Sequence, residues 1–190
     1  MNGCHLAVYS LRIGSRQRCN GIGASKLARV QTAVLTISTT LARGEGEDAS
    51  GDLLARLAAE AGCEVVARAV VGDDKGMIEP ALRGYVRKGL ALVFTTGGTG
   101  LTPDDVTPEA TRAVIERDAP GFAEALRAES LKHTPMGILS RGVAGIAGRT
   151  LIVNLPGSPK AIAQLFPVLA PTLRHVVATL RRDGGRDARH

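Results

Sequence analysis

The sequence predicts an α/β fold, a doubly wound and mostly parallel sheet, on three observations. Short apolar runs alternate with helical periodicity in the order strand, helix, strand, helix, strand, helix. The runs at 32–37, 91–94 and 150–153 are nearly continuous in Val, Leu, Ile, Phe, Ala and Thr, as strands covered on both faces must be. Strand ends run into glycine or proline turns followed by helix starts, which is the punctuation of right-handed crossovers. A chain of 190 residues suits one such domain, able to bury roughly 70% of its unfolded surface.

Residues 1–30 lack a clean period and contain five basic and no acidic residues, so they read as a basic extension, flexible or non-native, with translation starting near Val30. The domain is placed at 31–181. Its first strand, 32–37, ends at Ser38-Thr39-Thr40, and Ser50 is positioned to cap a helix over 51–61 with Leu53, Leu54, Leu57, Ala58 and Ala61 on one face. A strand over 64–71 leads through Gly72-Asp73-Asp74-Lys75-Gly76 to a helix over 77–88, apolar at Ile78, Leu82 and Tyr85 or Val86. After the strand at 91–94, Thr107 as cap and Pro108 at the first turn start a helix to 117, and a second helix takes 122–133. Glycines at 137, 142, 145 and 148 suggest a hairpin or irregular excursion over 136–147. The strand at 150–153 runs into Asn154-Leu155-Pro156-Gly157-Ser158-Pro159, where Ser158 caps the next helix. Helices over 159–165 and 167–181 close the fold, leaving 182–190 as a basic tail.

The net charge of +6 suggests nucleic acid until it is located. The two ends carry more than all of it, and residues 31–180 are left at about −1 with few aromatics, so the folded body lacks a nucleic-acid face. A binder working through the basic ends would show steeply salt-dependent affinity. Three cysteines without a C-x-x-C pair indicate neither a disulfide framework nor a zinc site and suit a reducing cytoplasm. His5, His133, His175 and His190 share no ligand spacing. No apolar run is read as long enough to span a bilayer.

The stretch Thr95-Thr96-Gly97-Gly98-Thr99-Gly100, between strand and helix, organises the site. Glycines allow positive φ and close approach, so successive amides can point at one anion, most often a phosphate. Asp104 and Asp105 beside it imply a phosphorylated ligand with Mg²⁺ between. The loop matches neither the P-loop nor the dinucleotide fingerprint, and a tight turn with solvated aspartates explains it equally well when taken alone. The sheet adds specificity. In a doubly wound fold the ligand sits at the carboxyl ends of the strands, which here gathers Ser38-Thr39, Asp73, Thr96-Gly97 and Asn154-Leu155 around one rim. Lys160 could reach a phosphate or lie solvated, and Arg141 could bind an anion or cover a neighbouring subunit.

Thr95–Gly100 (TTGGTG), Asp105–Pro108 (DVTP), Pro120–Phe122 (PGF), Leu139–Arg141 (LSR), Asn154–Pro159 (NLPGSP) and Asp48–Gly51 (DASG) together resemble the molybdopterin adenylyltransferase family, the Mog and MoaB proteins, over about 31–180. The resemblance implies a three-layer α/β/α sandwich and a homo-oligomer, usually a trimer. It implies joining of molybdopterin to ATP with Mg²⁺, releasing pyrophosphate, in the cytoplasm, with the product passing to a molybdate-insertion enzyme. It implies catalytic and Mg²⁺-holding roles for Asp73 and Asp105. It implies substrate or nucleotide contacts at Ser38, Thr96, Gly97, Gly98, Thr99, Gly100, Ser140, Asn154, Pro156, Gly157 and Ser158. Many members read I-S-D where this chain reads Ile37-Ser38-Thr39, which leaves open a MoaB-like molybdopterin-binding or scaffold protein with little or no adenylyltransferase activity.

Overall fold

The computed structural model describes residues 30–182, so the extension at 1–30 and the tail at 182–190 fall, apart from Val30 and Arg182, outside the described residues. Four parallel strands make up most of one six-stranded sheet: β1 (Val30–Ile37), β2 (Cys63–Val71), β3 (Leu92–Thr96) and β6 (Thr150–Leu155). Two short strands, β4 (Arg117–Asp118) and β5 (Ala144–Ala147), extend it in the spatial order β2-β1-β3-β6-β5-β4. β5 runs antiparallel to both β6 and β4. The glycine-rich excursion thus resolves into a hairpin of β5 and β6, turned at Gly148 with φ of +56°. The stretch before it is a 3₁₀ turn, Pro135–Leu139.

Helices cover both faces, which gives the three layers. On one side α2 (Ala49–Glu60), α5 (Pro120–His133), α6 (Pro159–Leu169) and α7 (Leu173–Leu180) pack on Val34, Leu92, Phe94, Leu151 and Val153. On the other, α3 (Lys75–Arg87) and α4 (Thr107–Arg112) pack on Ala33, Leu35, Val93 and Ile152. Alternate residues of one strand feed opposite layers, as the two-residue period requires. Phe94 of β3 meets Phe166 of α6 edge to face, centroids 5.5 Å apart, both rings fully buried.

Several boundaries differ from the sequence expectation for identifiable reasons. A four-residue helix, α1 (Thr39–Ala42), follows β1 because Ser38 caps it, its Oγ accepting from Leu41 N. Asp48, not Ser50, caps α2: its carboxylate accepts from Gly51 N at 2.9 Å and from the Thr36 hydroxyl at 2.8 Å. Helix α4 stops at Arg112 because the chain then pairs as β4, and Val106, without a side-chain bond, holds the cap position expected for Thr107. The stretch Pro159–Leu180, 22 residues that include an 18-residue window of mean hydropathy 1.3, is by length and composition long and apolar enough to cross a membrane, contrary to the expectation that no such run exists. Its Ile162, Leu165, Phe166, Leu169, Leu173 and Val177 belong to the core.

Replacing Phe166 by Ala should lower stability by about 3–5 kcal/mol, since the void would lie between sheet and helix with no mobile neighbour to fill it. Urea unfolding measures this, and a loss under about 1 kcal/mol would contradict the packing described.

Candidate active site

β3 ends at Thr96, and the chain turns over two residues of positive φ, Gly97 at +100° and Gly98 at +61°. A Cβ on Gly97 would lie 2.2 Å from the Ile37 carbonyl oxygen, and one on Gly98 would lie 2.4 Å from Thr107 Oγ1. Both contacts and conformation therefore demand glycine. Thr107 pins the turn: its hydroxyl donates to Gly97 O at 2.9 Å and its amide to Gly98 O at 3.1 Å. The loop's own donors are divided. Gly97 N donates to Leu155 O at 3.3 Å, and the Gly100 amide is committed to the Asp105 carboxylate. The amides of Gly98 and Thr99 carry no bond to another group among the described residues.

Each aspartate flanks one end of this turn. Asp73 Oδ2 accepts from both the amide and the hydroxyl of Thr39, at 2.7 and 2.8 Å, and Asp73 N donates back to Thr39 Oγ1 at 3.0 Å. Its Oδ1 is left toward Gly98, 3.4 Å from where a Cβ would stand. Thr39 is thus a support for Asp73, not simply a missing acid. Asp74, its neighbour, caps α3 by accepting from Gly76 N at 2.5 Å, which separates the roles of the adjacent aspartates. Asp105 instead folds into its own loop, Oδ2 accepting from Thr102 N at 2.8 Å and Thr102 Oγ1 at 2.6 Å. Partial burial pushes its carboxyl up, but the Thr102 and Gly100 hydrogen bonds and the Arg141 charge outweigh that and hold it below the ordinary carboxylate range.

Arg141 clamps the same segment. Its guanidinium donates to Gly100 O at 2.7 Å, to Asp105 O, and to Glu109 Oε1 at 2.5 Å, while its amide donates to Thr99 O at 2.9 Å. The side chain expected to meet an anion or a neighbouring subunit is spent inside its own chain. Burial raises Glu109, but the Arg141 hydrogen bond, with the Arg141 and Arg112 charges, more than offsets it and keeps that carboxyl low.

Beside the turn lies a cavity of about 260 Å³, between the loop, the β6 end, α5 and α6. Of the residues expected at the site, Thr99, Gly100, Ser140, Asn154 and Pro156 line it. Asn154 does so as scaffold: Nδ2 donates to Thr95 Oγ1 at 2.9 Å and Thr111 Oγ1 at 3.0 Å, and Oδ1 accepts from Val143 N at 3.2 Å. Thr96 is likewise internal, its hydroxyl donating to Pro156 O at 2.8 Å. Ser38 and Ser158 are helix caps, and Gly157 packs on Gly97. Asp105 opens on a separate hollow with Leu101, Thr102 and Glu109. No three acidic, histidine or cysteine side chains converge on one point among the described residues. Ser50, expected only as a helix cap, instead donates its hydroxyl to Gly157 O at 2.5 Å and ties α2 to the loop after β6. Sequence reasoning missed Arg127, which lines the cavity from α5 with nothing in its spacing to single it out.

Residues 33–175 match the family described as the probable molybdopterin binding domain. The chain belongs to that molybdopterin-binding domain family. A molybdopterin adenylyltransferase of Helicobacter pylori is 37% identical over 151 residues, covering 78% of this chain and 86% of the relative. The molybdenum cofactor synthesis protein cinnamon of Drosophila melanogaster is 43% identical over 153 residues, where the chain spans only 25% of the longer protein. Among solved structures, the molybdopterin biosynthesis enzyme MoaB of Thermus thermophilus is 44% identical with a TM-score of 0.75, over 80% of this chain and 96% of that one. A molybdopterin biosynthesis protein of Mycobacterium abscessus matches at 40% identity and a TM-score of 0.76, over 79% and 95% of the two chains. These likenesses fix the three-layer architecture within the molybdopterin-binding family.

Gly97→Ala should destabilise the domain by at least about 3 kcal/mol, because it adds a left-handed strain to a backbone clash that no rotamer relieves. A melting temperature unchanged from the parent would refute the close approach.

Proposed function

We propose that this domain adenylylates molybdopterin, joining it to ATP and releasing pyrophosphate. The observation that carries this reading is the pair of unengaged amides at Gly98, beside the free Asp73 oxygen, and at Thr99, which lines a cavity. The names of the relatives support the substrates. Backbone donors held at fixed positions stabilise charge on a phosphoryl group without reorganising.

The attacking group would be the terminal phosphate of molybdopterin, already mostly dianionic near neutral pH with a second pKa of about 6. Its oxygen forms a bond to the α-phosphorus of ATP as the bond from that phosphorus to the bridging oxygen breaks, and pyrophosphate leaves with the electron pair. No strong general base is needed, so the work of the chain is alignment. Gly98 and Thr99 amides receive phosphate oxygens. Thr39 keeps Asp73 turned to the loop, and Asp105 and Arg141 keep the Gly100 end closed. Asp73 suits Mg²⁺ brought in by phosphates, which needs only one or two carboxylates, better than Asp105, whose Oδ2 is occupied by Thr102. Such an ion would neutralise charge on the triphosphate. The exposed apolar residues Leu101, Met136, Ile138 and Leu139 favour a homo-oligomer, for which we propose a trimer in the cytoplasm, handing product to a molybdate-inserting enzyme.

Pyrophosphate release from ATP is expected only with both molybdopterin and Mg²⁺ present. Asp73→Asn should lower turnover about 100-fold and Asp105→Ala should abolish it, with pterin binding largely retained in both. No release by the parent chain, with molybdopterin still bound tightly, would replace this reading with a binding or scaffold role.

A further inference from the structure

The 260 Å³ cavity has one ionisable side chain in its wall, Arg127. The rest of its lining is apolar or neutral: Leu126, Met136, Leu139 and Leu165, with the hydroxyls of Ser130 and Ser140. Arg127 is half-buried in α5 and is anchored at one nitrogen, Nη1 donating to Gly142 O at 3.0 Å. Its guanidinium meets no carboxylate among the described residues, whereas Arg141 is paired with Glu109 and Arg68 with Asp48 and Asp52. Arg127 also lies on the wall that this cavity shares with a second one of about 550 Å³, whose other charged residues are Arg112, Arg141 and Asp118. A guanidinium oriented by a carbonyl, partly desolvated and without an ion-pair partner among the described residues, has planar donors left for a two-oxygen acceptor. Thr99, whose amide is unbonded, and Gly100 line the cavity on the side of the loop.

We infer that Arg127 is the binding residue for the phosphate monoester of the pterin substrate, holding the nucleophilic phosphate beside the glycine turn while the rest of the substrate occupies the neutral cavity. This rests on the adenylyl-transfer reading for its substrate. It assigns ATP to the amides and the second phosphate to Arg127, so two polyanions are met by separate groups. A charge-assisted bidentate pair contributes specificity as well as affinity.

The test compares Arg127→Gln, which removes the charge and leaves a neutral amide, with Arg127→Lys, which keeps the charge and loses the planar fork. For Arg127→Gln, KM for molybdopterin should rise at least tenfold with KM for ATP unchanged, and Arg127→Lys should recover part of the loss. Direct fluorescence titration with molybdopterin and with its dephosphorylated form is the second readout. Arg127→Gln should weaken only the phosphorylated ligand, and this holds even if the parent chain releases no pyrophosphate, which separates failure of the inference from failure of the activity. A raised KM for ATP, equal weakening of both pterin forms, or unchanged binding of both would overturn it.

Discussion

The approach of Gly97 to the Ile37 carbonyl is the constraint on which the rest of the site depends. The ends of β1 and β3 meet there with room for a hydrogen atom but not a methyl, since a Cβ would stand 2.2 Å from the oxygen. Gly157, after β6, also packs closely on Gly97, since a Cβ on it would stand 3.3 Å from the Gly97 Cα. Three strand ends thus converge on one turn. Parallel strands make this possible because their carboxyl ends all lie on the same rim. The convergence forces the chain into positive φ and leaves two amides without a bond among the described residues.

Around that turn the polar side chains are almost all consumed in holding it. Thr107, Arg141, Asn154 and Thr96 each bind main chain or neighbouring hydroxyls, and no buried side-chain nitrogen or oxygen among the described residues lacks a partner. Such a saturated shell fixes geometry and leaves few groups to meet a ligand. Among those left are the Gly98 and Thr99 amides, one oxygen of Asp73 and the Arg127 guanidinium. Depressed carboxyls at Asp105 and Glu109 follow from the same shell, because the donors that lock the loop also favour the ionised forms.

The four parallel strands and the helices between them were legible because burial on both faces writes long apolar runs, and the glycine loop stood out because positive φ restricts residue choice. The rim location of Asp73, Thr96 and Asn154 followed from topology. Their separate duties did not. Asn154 and Thr96 turn inward through hydrogen bonds to residues 43 and 60 positions away, and Asp105 turns to Thr102 through a local bond that spacing does not distinguish from outward exposure. The cap of α2 was misplaced by two residues because Asp48 and Ser50 are both competent caps, and only the Thr36 hydroxyl beneath selects Asp48. Arg141 looked free because its three acceptors lie 32 to 41 residues away, and two of them are main-chain carbonyls.

The most direct measurement is the amide spectrum of the ¹⁵N-labelled chain titrated with Mg-ATP. The account expects the Gly98 and Thr99 resonances to move most, with Gly97 and Gly100, already bonded within the chain, moving less. Largest shifts at residues remote from this turn, with Gly98 and Thr99 unmoved at saturation, would contradict it.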